Sequence, residues 1–330
     1  MSTMLSVVIP TYGRIDSVKA LVDALDQQSG VDLEMIVLDQ NPDGRLAFLA
    51  SSRFPLTRIV LDEPNVSTAR NVGFAASRGS HLLFIDDDLR PDPDFCARGI
   101  HSLQVLARQP GTHCLWALVH DEAGAAARIR AMHRLYLNDE ESGPLREIRS
   151  AESNAVFIER DAFQATGGFD EILFRFARTA EDEEFFLRAR RRGIRVWVDT
   201  SLTIFHDTHQ AGGCELRTDS RRQSRFRCMK AWAYRYRVHR NQQGRLSAGD
   251  LWRLCRSSFL NSGLIRRSPG ESWGEVQLLV QAIAESRRYV AEHVARMVPP
   301  EQVDFLARHL TVTKPPALDR LTLAAGTNRG

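Results

Sequence analysis

The chain has 330 residues, 43% of them hydrophobic, with a formal net charge of +3. That is enough apolar side chain for one large core or two smaller ones, and no run of about 18 uncharged apolar residues is present to cross a membrane as a helix. All but three of the 44 basic residues are arginine, a bias that a GC-rich genome produces by itself, so the basic total does not indicate nucleic-acid binding.

The five cysteines are widely scattered, with no C-x-x-C pair. This argues against a disulfide framework or a structural zinc site and favours a reducing cytoplasm. The first six residues carry no basic region and run directly into a strand, so no signal peptide is expected.

Residues 5–9 are a β-branched apolar run stopped by Pro10, hence a buried strand. Residues 15–28 have helical spacing through Val18, Leu21, Val22 and Leu25. A second strand covers 34–38 and ends at Asp39, a weaker one covers 57–61, a helix covers 66–77 with Ser67 as its expected cap, and a strand ends at Ile85. Strands and helices that alternate with short connections predict an α/β fold with a mostly parallel sheet.

Beyond Pro91 the pattern changes. A helix is expected at 95–107, a strand at 114–120, a mobile polar loop at 138–153 and a strand at 154–158. A short helix from Arg160 ends near Gly167-Gly168, and another helix covers 181–191. Two strands are expected at 195–198 and 202–205. From about 213 to 308 the chain reads as almost wholly helical.

Five places carry chemistry. The first is Asp86-Asp87-Asp88, just past an apolar strand. Ligands of open α/β sheets bind beyond the carboxyl ends of strands, and carboxylates there can hold Mg²⁺ or Mn²⁺ against substrate phosphates. Asp86 and Asp88 point to one side of an extended backbone; Asp87 points to the other and is the structural member. The second is the turn Pro10-Thr11-Tyr12-Gly13-Arg14, whose backbone N–H groups and arginine suit an anion. The third is Asp39, which accepts from a base or ribose, or else caps the following Asn-Pro-Asp-Gly turn. The fourth is Arg70-Asn71 beside Gly73, which permits close helix–sheet packing. The fifth pairs two distant segments: Glu181-Asp182, opening a helix, offers a general base, although acids there are also favoured by the helix dipole. His206, ending a strand, offers a further metal ligand.

In order along residues 4–213 these segments resemble the family-2 glycosyltransferases of the GT-A fold. The resemblance rests on Ser6-Val-Val-Ile-Pro-Thr-Tyr-Gly-Arg14, Ile36-Val-Leu-Asp39, Asn65-Val-Ser-Thr-Ala-Arg-Asn-Val-Gly73, Leu83-Phe-Ile-Asp-Asp-Asp88, Thr166-Gly-Gly-Phe-Asp-Glu171, Glu181-Asp182 and His206. It implies an inverting enzyme with a nucleotide-diphosphate sugar donor (UDP or dTDP), Mn²⁺ or Mg²⁺, and a saccharide, lipid-linked or small-molecule acceptor in bacterial glycan synthesis. It implies that Pro10, Thr11, Arg14 and Asp39 line the nucleotide pocket, that Arg70, Asn71, Asp86 and Asp87 approach nucleotide and diphosphate, and that Gly167, Gly168 and Phe169 shape the sugar pocket. Asp88 and His206 become metal ligands, Asp182 the catalytic base and Glu181 its orienting neighbour. The sequence departs from the family at Gly13, where Asn is frequent, and at Asp39-Gln40-Asn41-Pro42, where Asp-Asp-Gly-Ser is commoner. A sugar-phosphate nucleotidyltransferase is disfavoured because residues 10–14 lack its Gly-rich signature. An inactive scaffold is disfavoured because Asp88, Asp182 and His206 are all present.

The expected organisation is a GT-A unit at 1–215, its nucleotide half 1–90 and acceptor half 91–215, followed by a helical extension at 216–330. Nine basic residues between 217 and 240 are interleaved with aromatics. They suit either peripheral contact with the inner face of a membrane or aromatics packed inward under solvated arginines. Residues 271–297 form a long amphipathic helix able to make a homodimer interface.

Overall fold

The computed structural model describes residues 4–41, 46, 52–132, 143–207, 213, 220–240, 247–249, 251–252 and 269–293. Nine strands form one sheet. β1 (Met4–Thr11), β2 (Asp32–Asp39), β3 (Leu56–Val60) and β4 (His81–Ile85) are mutually parallel, in the order β3-β2-β1-β4. β1, β2 and β4 are buried almost throughout, which is why they read as continuous apolar runs rather than alternating ones. α1 (Ile15–Asp26) and α2 (Val66–Ala76) make the crossovers. Asn65 caps α2 by accepting from the Thr68 N–H at 3.1 Å, so the expected Ser67 cap is corrected.

The second half is mixed in direction. β8 (Ala155–Glu159) runs antiparallel to β4, and β6 (Thr112–His120) antiparallel to β8. β9 (Ile194–His206) is parallel to β6. The two strands expected at 195–198 and 202–205 are this single strand with a bulge: partners jump from Ala117↔Asp199 to Leu118↔Thr203. Asp199 stitches the bulge, accepting from Ser201 N (2.8 Å), Leu202 N (3.3 Å) and Ser102 Oγ (2.7 Å). β5 (Leu89–Arg90) and β7 (Leu145–Glu147) both pair with β9, so the described part of the expected 138–153 loop contains a strand. Residues 133–142 lie outside the described residues.

α3 (Phe95–Leu106), α4 (Ala125–Met132), α5 (Arg160–Thr166), α6 (Glu171–Ala177) and α7 (Glu181–Arg191) complete this part. α4 and α6 are additions to the sequence reading. Phe74, Phe84, Phe163, Phe169 and Phe185 form one aromatic cluster between α2, β4, α5 and α7, with centroids 4.4–5.8 Å apart.

α8 (Arg221–Arg235) starts in a Ser220–Gln223 capping box and continues into a π-helical turn, Tyr236–Arg240. α9 (Pro269–His293) packs along α8, and both close over α6 through Leu173, Phe176, Ala231, Tyr234 and Val290. Much of the basic run is spent inside the molecule. Arg225 pairs with Glu275 at 3.1 Å, Lys230 with Glu285 at 3.4 Å, and Arg235 with Glu183. The aromatics pack inward: Tyr234 is buried, and Phe226, Trp232 and Tyr236 lie partly buried against Met229, Leu278 and Leu279. The helical stretch expected from about 213 to 308 lies partly outside the described residues.

Gly73 is required by the α2–β1 contact: a Cβ there would stand 2.3 Å from Val8 Cγ1 and 3.0 Å from Leu38 Cδ2. Gly73→Ala is expected to lower the free energy of unfolding by about 1–3 kcal/mol, measured by urea titration. Gly274→Ala, in α9 with nothing within 4 Å of the added methyl, is expected to be neutral or stabilising by up to about 1 kcal/mol.

Candidate functional site

The carboxyl ends of β1, β2, β4 and β9 share one edge of the sheet, and β8 begins there. The aspartate triplet leaves β4 at this edge. Each of its acids has a different environment.

Asp87 turns back under β1. It accepts from Thr11 Oγ1 at 2.6 Å and from Arg14 Nη1 at 2.8 Å, and it is buried. Burial pushes its carboxyl up to about 6, against the lowering effects of Arg14 and Thr11. Asp87 is thus a strut of the turn after β1. Asp88 is buried too. Its Oδ2 lies 2.6 Å from Arg14 Nη1 and 3.1 Å from His206 Nε2. The cause is local pairing: β5 aligns Leu89 with His206, and Asp207 N donates to Asp88 O at 2.9 Å. Two residues 118 positions apart in sequence, both expected as metal ligands, therefore meet on one oxygen.

Asp86 is the open member, with its side chain 35% exposed. Arg70 Nη2 holds it at 3.1 Å, while Arg70 Nη1 lies 3.5 Å from Asp182 Oδ1 and 3.6 Å from Glu181 Oε1. The Arg70 guanidinium is buried and lies over the Phe169 ring, 5.1 Å from its centroid. Burial works against its charge, but the three carboxylates outweigh it and raise its pKa.

Asp182 sits in the first turn of α7. The residue before Glu181, Ala180, is in the left-handed region at φ +66°, a strained position for a side chain with a Cβ. That bend aims the helix N-terminus, with its donors and partial positive charge, at the sheet edge. Ser153 Oγ, just ahead of β8, donates to Asp182 Oδ1. Burial raises the Asp182 carboxyl to about 6; Arg70 and Ser153 lower it, and Asp86 raises it. Ser153 was not singled out in the sequence, where it is one polar residue at the end of a polar stretch.

Other expected residues do different work. Asp39 is buried and accepts from Arg58 Nε at 2.9 Å, Asn41 N at 3.0 Å and Asn41 Nδ2 at 2.8 Å, so it organises the following turn. Asn41 Oδ1 in turn accepts from Gly13 N at 2.8 Å. Gly13 has φ +74°, a conformation that glycine and asparagine tolerate best. The two departures from the family pattern thus touch each other. Asn71 is corrected: its amide is consumed by Phe169 O (2.9 Å), Phe169 N (2.8 Å) and Glu171 Oε1 (2.7 Å), clasping α2 to the Gly168-Phe169 turn. Gly167 and Gly168 make that turn with φ +79° and +76°. Pro10 is buried at the end of β1.

As donors, Asp88 and His206 fit a hard divalent cation, which takes one carboxylate, one imidazole and substrate phosphate oxygens. Among the described residues no third His, Cys, Asp or Glu joins them.

Residues 6–106 match the family model "Glycosyl transferase family 2". The match spans 101 of the 330 residues, so the likeness to that family covers about a third of the chain. An uncharacterized glycosyltransferase of Haemophilus influenzae is 36% identical over 115 residues, spanning 34% of this chain and 38% of that protein. The fold is GT-A, by its likeness to solved structures. S. aureus TarS 1-349 in complex with UDP-GlcNAc aligns at TM-score 0.56 with 15% identity, covering 90% of this chain and 84% of that one. The mannosyltransferase PcManGT of Pyrobaculum calidifontis, in complex with GDP-Man and Mn²⁺, aligns at 0.52 with 15% identity, covering 96% and 82%.

Ser153→Ala removes a hydrogen bond that favours the charged form of Asp182. The Asp182 carboxyl is expected to titrate above its value of about 6, read from its side-chain carbon shift by NMR. A downward or absent shift contradicts the role given to Ser153.

Proposed function

We propose that the chain is an inverting glycosyltransferase that moves a sugar from a nucleotide-diphosphate sugar, UDP- or dTDP-linked, to an acceptor hydroxyl in bacterial glycan or glycoconjugate synthesis. The observation that carries this reading is Asp182, a carboxylate raised to about 6 and 27% exposed, which shares Arg70 with Asp86, two residues before Asp88. The family match over the nucleotide half supports it, as do the UDP-GlcNAc and GDP-Man complexes of proteins with the same fold.

In this reading the acceptor hydroxyl stands next to Asp182 Oδ. Asp182 takes its proton as the oxygen forms a bond to the anomeric carbon. The bond to the diphosphate oxygen breaks on the opposite face, which inverts the centre. Arg70 holds Asp182 and Asp86 in register, and Glu181 orients sugar or acceptor. Asp88 and His206 would hold Mn²⁺ or Mg²⁺, which would supply positive charge to the diphosphate leaving group. Thr11 and Arg14, at the end of β1, flank the nucleotide. Residues 1–215 form the transferase unit and 216–330 a helical extension.

Asp182→Asn is expected to cut kcat by at least about 100-fold while nucleotide-sugar binding, measured by calorimetry, stays near that of the natural chain. Equal loss of binding removes Asp182 from the role of base. Because the base must be deprotonated, kcat/KM is expected to rise with pH through about 6 and then level off. A flat profile from pH 5 to about 8 speaks against it. EDTA is expected to abolish transfer and Mn²⁺ to restore it; full activity in EDTA rejects the metal role of Asp88.

A further inference from the structure

α9 has two apolar faces. Leu278, Leu279, Ala282 and Val290 are buried on one, against α8 and α6. The opposite face carries Trp273, Val276 and Val280, exposed at 63%, 36% and 61%, together with exposed Ala284 and Ala291. Large apolar side chains arranged in a stripe on a solvent face mark an interaction surface.

The spacing of the stripe is informative. Trp273, Gln277, Val280, Ala284, Arg287 and Ala291 follow steps of four, three, four, three and four residues, the seam of a two-stranded coiled coil. The seam is about 27 Å long at 1.5 Å per residue. Towards its end a groove of about 600 Å³ is lined by Val280, Ala284, Ala291 and the side chains of Arg237, Arg287 and Arg288.

We infer that this face is a homodimer interface, in which two copies of α9 pack antiparallel about a twofold axis level with Ala282. The axis sets Trp273 against the partner's Ala291, Gln277 against the partner's Arg287 and Val280 against the partner's Ala284. Every apolar layer then joins a large side chain to a small one. The indole at one end of the stripe enters the groove at the other end, where Arg287 and Arg288 can lie on its face. The polar layer, present twice by symmetry, joins a side-chain carbonyl to a guanidinium, and a polar layer of this kind fixes register. Such a self-complementary patch is what a twofold contact requires. A lipid surface fits the arginines but not the seam spacing or the interleaved Gln277 and Gln281. The inference is independent of the glycosyltransferase reading.

A seam of this length makes a modest interface, so association is expected across roughly 1–100 µM. Sedimentation velocity of the full chain is expected to show a species of twice 37.3 kDa within that range. Ala284→Arg, and Trp273→Ser as a second solvent-face variant, are expected to be monomeric with unchanged circular dichroism. Gln277→Arg, which opposes two arginines, is expected to weaken the dimer at least about tenfold; adding Arg287→Gln transposes the layer and restores it. A monomeric natural chain throughout the range, dimerisation unaffected by Ala284→Arg and Trp273→Ser, or failure of the transposition to restore it overturns the inference. So does capture of the monomer on vesicles containing phosphatidylglycerol.

Discussion

A single buried guanidinium, that of Arg70, decides the geometry of the site. It arises from α2, one turn past the Asn65 cap, and its two nitrogens reach acids from two other elements: Asp86 after β4, and Glu181 and Asp182 at the start of α7. Three carboxylates this close cannot all stay ionised without a cation between them. With Arg70 there, repulsion becomes attraction, and the α7 N-terminus is drawn onto the sheet edge. The left-handed bend at Ala180 is the conformational cost of that placement, about 1–3 kcal/mol for such strain. Burial raises the Asp182 carboxyl, and the charge of Asp86 raises it further. Together they hold that carboxyl at about 6, against the lowering effects of Arg70 and Ser153.

A second arginine repeats the arrangement on the other side of the triplet. Arg14 bridges Asp87 and Asp88 from the turn after β1, and its Nη1 shares an Asp88 oxygen with His206. The triplet is therefore flanked by two cations, each binding different members. Asp87 is locked, Asp88 is held at a point where another positive group can replace or join Arg14, and Asp86 is left partly open. Identical residues acquire three roles because the chain turns at Asp86 (Leu89 N donates to Asp86 O at 3.3 Å) and each side chain meets a different wall.

Much of this was legible in the sequence. Buried parallel strands announce themselves as apolar β-branched runs, and acids at their ends mark the ligand edge. Gly73 was readable as a close-packing residue because nothing larger fits over Val8. What the sequence concealed depends on partners far along the chain. Asn71 has the type and position of a ligand-binding amide, yet its fate is set by Phe169 and Glu171, about a hundred residues later. Asp87 could be assigned a direction from strand alternation, but its partners Thr11 and Arg14 could not be named. The division of β9 into two strands came from Ser201 at its bulge, a polar interruption that Asp199 satisfies locally. Ser153 offered no signal because a hydroxyl gains meaning only from the carboxylate opposite.

Helix α8 bears on the same constraint. Tyr234 on α8 donates to Asp170 at 3.0 Å, and Asp170 caps α6 through Ile172 N and Leu173 N. Glu171, next in sequence, accepts from Asn71 and from Thr68 on α2. Arg235 pairs with Glu183, one residue past Asp182. α8 thus braces α6, which is tied to α2, and α7, which carries Glu181 and Asp182. Arg70 pulls α7 inward, and α8 limits where it can go. A carboxylate must sit within hydrogen-bond reach of its proton donor to act as a base, so in the proposed reaction these contacts would help set the position of Asp182 from a helix outside the family-matched segment.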